Sequence, residues 1–234
     1  LLEDMHWVDE ASLAVIDRLV QGVAHLPALL IALHRPQWEH DWAAGRNRHH
    51  IVLDRLSDDE SRQLLCSLLE TTTPPAGLDE TALPVAGGNP FFLKEMVRSL
   101  VETGAIVKSD GAWQATERLE AAHIPATIQA MLQARIDRLG KNERRVLRMA
   151  SVIGLEFDHE MVTAMAEPYI GLAVEESLDA LRRQEFVEER AFWPEMRYAF
   201  QHALIQQVAY ESLLAKQRKH YHRQAGRALE DLCA

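Results

Sequence analysis

The stretch Leu1-Leu2-Glu3-Asp4-Met5-His6-Trp7-Val8-Asp9 decides how the chain is read. Two leucines running into adjacent acids read as the end of a buried strand. Asp9 then caps a helix whose apolar positions Leu13, Ile16, Val20 and Val23 recur at helical spacing. Pro27 precedes Ala28-Leu29-Leu30-Ile31-Ala32-Leu33, the longest apolar run of the chain. Its lack of polar alternation fits a parallel strand covered on both faces. Strand, helix and second strand make a βαβ unit. Residues 35–50, rich in charge, histidine and tryptophan without periodicity, read as a surface loop before a short strand over residues 50–53.

Beyond this point the pattern turns helical. Ser57 with Glu60 is a capping-box signature, and Leu64, Leu65, Leu68 and Leu69 line one face behind it. A polar break over residues 71–77 and a short helix lead to Gly87-Gly88-Asn89-Pro90, which opens a helix carrying Leu93, Met96, Val97 and Leu100. Residues 105–107 and 112–114 flank a turn ending Asp110-Gly111 and predict a hairpin. From Pro125 a fresh helical pattern runs through Ile128, Met131, Leu132, Ile136 and Leu139 to a break at Gly140, with a domain boundary placed over residues 117–124. Three short helices follow, marked by Val146, Leu147, Ala150 and Ile153, then Met161, Val162 and Met165, then Val174, Leu178 and Leu181. Extended segments around residues 186–189 and 197–200, separated by Phe192-Trp193-Pro194, complete the pattern of a winged helix. Residues 202–214 and 216–232 read as an antiparallel helical pair of the kind that opens a repeat array, although one pair does not establish a repeat.

The bulk numbers bound the function. With 234 residues, 47 % of them hydrophobic, the chain has room for one large domain or two to three small ones. No stretch approaches the roughly 20 apolar residues that span a bilayer. Leu1 at the start, with no basic region or cleavage site behind it, is expected to be a cut through a longer protein rather than a targeting signal. Cys66 and Cys233 lie far apart, which argues against a disulfide framework and points to a reducing, cytoplasmic setting. A net charge of −10 argues against nonspecific nucleic-acid binding. The third winged-helix segment adds Glu175, Glu176, Asp179 and Glu185 against Arg182 and Arg183, a poor surface for phosphates. The basic residues Lys216, Arg218, Lys219, Arg223 and Arg227 read as a solvated helix face. Neither His49 with His50 nor His220 with His222 shares a face, so no metal-ligand set is expected from the histidines.

Residues 1–9 resemble the Walker B segment of the STAND class of P-loop ATPases, especially the modules joined to nucleotidyl cyclase domains or bacterial transcription regulators. The likeness recurs in order. Residues 28–36 resemble the family's sensor strand, and Gly88-Asn89-Pro90-Phe91-Phe92-Leu93-Lys94-Glu95 its lid motif. Residues 124–129 with Val152-Ile153-Gly154 resemble its winged-helix entry, and residues 197–213 the segment before its helical repeats. The implied fold is mixed and mostly α. It comprises the C-terminal part of a parallel α/β P-loop ATPase core (residues 1–56), a helical lid with a hairpin (57–123), a winged-helix-like domain (124–201) and a helical pair (202–234).

The same resemblance assigns roles. Glu3 and Asp4, where a P-loop NTPase needs acids, would hold Mg²⁺ through water and orient the attacking water. The ordinary alternative is a solvated acidic turn capping the next helix. The family most often has Asp where Glu3 stands, so the division of labour between the two acids stays open. Arg35 would read the terminal phosphate, or simply begin a surface loop. Asn89 and Pro90 would pack against a nucleotide base or ribose from the lid, or form an ordinary helix entry. His6 and Trp7 would line the site or pack the first helix, and packing is expected for Trp7 on its apolar area.

The implied cofactors are ATP and Mg²⁺, and the implied partners are other domains of the same protein or regulatory proteins. No G-x-x-x-x-G-K-[ST] loop occurs in the chain, so these residues alone are expected to hydrolyse ATP poorly or not at all. Three readings compete: a nucleotide-dependent regulatory switch, an ATP-gated transcription regulator, and an interaction scaffold without catalysis.

Overall fold

The computed structural model describes residues 1–23, 26–38, 40, 42, 49–121, 124–191 and 196–232. Phe192-Trp193-Pro194 and Cys233, singled out in the sequence, lie outside the described residues. The chain forms two compact units, residues 1–54 and 55–234.

In the first unit Leu2 and Ala32 form a parallel β-bridge. The Leu2 N–H donates to the Ile31 carbonyl, and the Leu2 carbonyl accepts from the Leu33 N–H, both at 2.8 Å. Between them run a 3-10 turn, Met5–Trp7, and helix α1, Glu10–Val23. The Asp9 carboxylate caps α1, accepting from the Ser12 amide at 2.9 Å and the Ser12 hydroxyl at 2.8 Å. The parallel sense follows the sequence expectation, but among the described residues of this unit no strand forms, and a single bridge stands where the βαβ unit was expected.

Three expectations are corrected in this unit. Burial of the second strand on both faces fails, because Leu29 is 82 % exposed and α1 buries no residue. A single bridge and one helix cannot cover two apolar faces. Trp7, expected to pack, is 75 % exposed. The strand over residues 50–53 is not formed, and Ile51, Val52 and Leu53 are exposed. Ile51 and Val52 are β-branched, but among the described residues they have no neighbouring strand to pair with.

The second unit opens with helices α2 (Asp58–Leu68), α3 (Leu78–Ala86) and α4 (Pro90–Glu102). The capping box of α2 forms as expected, with the Glu60 amide donating to Ser57 Oγ at 3.3 Å and the Ser57 amide to Glu60 Oε2 at 2.8 Å. Strands β1 (Ile106–Ser109) and β2 (Ala112–Ala115) make the predicted antiparallel hairpin. Asp110 and Gly111 both take positive φ, at 50° and 80°, which matches the twist of the flanking strands. The Trp113 indole N–H donates to the Leu69 carbonyl at 2.6 Å, tying the hairpin to the end of α2. A short helix the sequence did not predict, α5 (Glu117–Ala121), follows. Leu65, Leu78, Leu93, Met96, Leu100 and Ile106 make the core of this part.

Helix α6 (Ile128–Arg138) starts at Thr127, whose hydroxyl accepts from the Ala130 amide at 3.2 Å. It serves two cores. Met131 joins the core beneath α4, whereas Leu132 and Ile136 enter the core formed by the rest of the chain. That second core is built from α7 (Lys141–Ile153), α8 (His159–Ile170) and α9 (Ala173–Arg183), as the periodicity predicts. Val146, Leu147, Val162, Leu178 and Leu181 are each fully or almost fully buried, and each contributes roughly 1.5–3 kcal/mol.

The predicted extended segments are β4 (Val187–Ala191) and β5 (Met196–Phe200). They are joined by a strand the sequence did not reveal, β3 (Glu156–Asp158), giving an antiparallel sheet of order β3-β5-β4. Helices α10 (Ala203–Glu211) and α11 (Ala215–Leu232) end the chain. The two helices do not pack mainly on each other, as the expected antiparallel pair would: α10 docks on α6 and α7, and α11 on α7 and α8. Ile205, Val208, Ala209, Ala225 and Ala228 thereby enter the shared core. Among the described residues no helix is long and apolar enough to cross a membrane.

Candidate functional site

The residues selected from the sequence fall in both units. In the first, the parallel bridge brings the ends of two extended segments to one edge. Just past Leu2, the Met5 amide donates to the Leu33 carbonyl at 3.0 Å. The Glu3-Asp4 turn therefore leaves the first segment beside the end of the second, where Arg35 follows two residues later. The Arg35 carbonyl accepts from the Trp38 amide at 3.0 Å, and its side chain is exposed.

Asp4 holds φ 53° and ψ 36°, a left-handed conformation that few residues other than glycine, asparagine and aspartate adopt. Its carboxylate is 79 % exposed. Glu3 is exposed as well, so both acids are free to meet a ligand from solvent. They border a shallow concavity of about 460 Å³ whose apolar side includes Trp7, Val8 and Ile16.

Behind Asp4 lies a residue whose role the sequence left open. His6 is largely buried, and neither ring nitrogen has a hydrogen-bond partner among the described residues. Its Nε2 stands 4.0 Å from Asp4 Oδ1, beyond hydrogen-bond range.

The described residues after Arg35 make aromatic and hydrogen-bond contacts. Trp38 lies between His34, at 5.0 Å, and His40, at 5.4 Å between ring centroids. Asp17 of α1 accepts from the Trp42 indole at 2.6 Å and bonds His40 at 3.0 Å. Those two bonds, Trp42 first, hold the Asp17 carboxyl below its ordinary pKa. Among the described residues no group of three or more His, Cys, Asp or Glu side chains is placed to hold a metal ion.

In the second unit, Asn89 caps α4. Its side-chain oxygen accepts from the Phe91 and Phe92 amides at 3.0 and 3.1 Å, which leaves only the amide NH₂ for a ligand. Pro90 occupies the first helical position, where its missing N–H costs nothing. Both are exposed. The preceding Gly88 has φ +72°, and its carbonyl accepts from the Leu56 amide at 2.9 Å. The Arg55 guanidinium donates to the Gly87 carbonyl at 2.9 Å. The helix entry is thus braced from behind and open in front.

No family model matches the chain. It is similar to an uncharacterized protein of Rhizobium meliloti (strain 1021), 27 % identical over 225 residues. The alignment covers 95 % of this chain and 21 % of that protein, so the chain spans about a fifth of the relative's length.

That alignment runs through residues of both units and supplies no activity. The chemistry therefore rests on the side chains. Glu3 and Asp4 offer hard oxygen donors at the end of an extended segment, Arg35 a planar cation at the same edge, and Asn89-Pro90 a rigid helix start with an open face.

Proposed function

We propose that the chain is part of a STAND-type regulatory ATPase, a cytoplasmic switch in which nucleotide binding sets the arrangement of core, lid and winged-helix-like parts. The observation that supports this most is the parallel pairing of Leu2 with Ala32, because it sets Glu3, Asp4 and Arg35 at one carboxyl-terminal edge of the bridged segments. Ligands of open α/β sheets bind at that edge.

The donor set suits the proposed ion. Two exposed carboxylates fit a magnesium ion that keeps most of its water shell. The ion would neutralise phosphate charge; Glu3 and Asp4 would hold its waters, and Asp4 would orient the attacking water. Arg35 would bind phosphate oxygens in a bidentate manner. Asn89 and Pro90 would contact the nucleoside.

These residues do not by themselves cradle a triphosphate. The reading requires a glycine-rich, lysine-bearing loop from elsewhere in the natural polypeptide, since none occurs among the 234 residues. Calorimetry on that polypeptide should give saturable ATP binding that weakens when Mg²⁺ is chelated. Absence of binding, with or without the metal, overturns the proposal.

A further inference from the structure

Two charged side chains of the second unit are buried where charge is costly. Glu95 on α4 and Arg135 on α6 are each 2 % exposed, and they pair with one another. Burial lowers the Arg135 pKa while Glu95 and then Glu102 oppose the shift; the guanidinium stays charged at any physiological pH. It also donates to the Gln184 carbonyl at 2.8 Å and lies over the Phe186 ring at 4.5 Å. One side chain thus joins α4 to the corner between α9 and β4.

Helix α4 grips that corner a second time. Arg98 donates to the same Gln184 carbonyl at 3.0 Å, and both Arg98 and Lys94 pair with Glu185, Lys94 at 3.1 Å. Desolvation works to raise the Glu185 pKa, but the bonds from Arg98 and Lys94 outweigh it and hold the carboxyl below its usual value. Glu185 has φ +52°, so a residue with a side chain is kept in a backbone conformation it disfavours. These cations also face the carboxyl end of α9, the negative pole of that helix.

A buried ion pair adds little stability, because desolvation cancels much of the attraction; fixing register is its better-attested use. Arg135 has a second carboxylate near it. Its Nε makes no hydrogen bond and stands 3.7 Å from Glu102. Glu102 is seven residues beyond Glu95, about two turns along the same face of α4. The guanidinium therefore has two acidic stations along one helix, the second shared with Arg138, which donates to Glu102 at 3.2 Å; two stations are what a two-state element needs.

We infer that the Glu95–Arg135 pair is a relay that passes displacement of α4 to the α9–β4 corner. The inference rests on the proposed switch for its input, since α4 begins at Asn89-Pro90, about one and a half turns before Glu95. The geometry of the relay itself does not depend on a nucleotide.

Two arms of one hydrogen-exchange experiment test it, both read at the Phe186 amide, which donates to the Leu181 carbonyl. In the 234-residue chain, Pro90→Gly should speed that exchange about threefold or more. In a Glu95→Met/Arg135→Met background, which keeps volume and leaves no lone charge, the response should fall by about twofold or more, the remainder passing through Arg98 and Lys94. An equal response in both backgrounds overturns the relay. Should the double variant not fold, Glu95→Gln serves as the second background under the same criterion. In the natural polypeptide, ATP with Mg²⁺ should change the same exchange rate more when the pair is intact than when it is removed. A Pro90→Gly response that shrinks without the pair, in the absence of any ATP binding, supports the relay and sinks the nucleotide reading. ATP binding with a corner response that ignores the pair does the reverse.

Discussion

The imidazole of His202 lies flat on the ring of Phe91, with centroids 3.9 Å apart and planes 9° from parallel. Phe91 follows Pro90 at the start of α4, and His202 is the N-cap of α10, its Nδ1 accepting from the Leu204 amide at 3.0 Å. That bond needs an unprotonated Nδ1, and so favours the neutral ring. Burial pushes the His202 pKa below its ordinary value of about 6.5, with Glu95 acting weakly in the other direction.

The sign of the pH dependence follows from this. The unfolded chain takes up the His202 proton more readily than the folded chain. The contribution is whole above pH of about 6.5 and is lost as pH falls from there through the lower folded value. His202→Asn keeps a capping oxygen and removes the titration. Thermal melts from pH 7.5 to 5 should give a flatter dependence for His202→Asn than for the parent chain. Parallel curves would show that His202 does not report the contact.

Asp4 separates a catalytic from a structural role. Asparagine accepts the left-handed backbone at φ 53°, so Asp4→Asn should leave stability within about 0.5 kcal/mol. In the natural polypeptide the same change should lower ATP turnover by about 10²-fold or more if this carboxylate orients water. Unchanged turnover measured by phosphate release would assign Asp4 to the turn alone.

The brace behind the α4 entry makes Gly88 and Gly77 an informative pair. Both have positive φ, +72° and +79°, so alanine at either costs about 1–2 kcal/mol in backbone strain. A Cβ at Gly77 meets open space, whereas one at Gly88 collides with the Leu56 carbonyl and lies 3.0 Å from Arg55 Cβ. Urea unfolding should therefore place Gly88→Ala clearly below Gly77→Ala in stability. Equal losses would mean that the Leu56 segment yields freely.

The parts of this protein that were legible in its sequence are those set by neighbours along the chain. The capping box at Ser57 and Glu60, the Asn89-Pro90 helix start, the Asp110-Gly111 turn and the apolar spacing of α7 to α9 all act within a few residues. Backbone dihedrals and hydrogen bonds of that range are local properties. The acids Glu3 and Asp4 were visible for the same reason, as a polar break at the end of an apolar run.

Only the tertiary structure decided what distant residues do together. It paired Leu2 with Ala32, recruited the three residues of β3 into a sheet, and docked α10 and α11 on α7. It left Trp7 exposed and buried Glu95 against Arg135, 40 residues away. A glutamate and an arginine on helix surfaces read as solvated charges until packing removes the water around both. That depends on which helix faces meet, and no local pattern of residues carries that information.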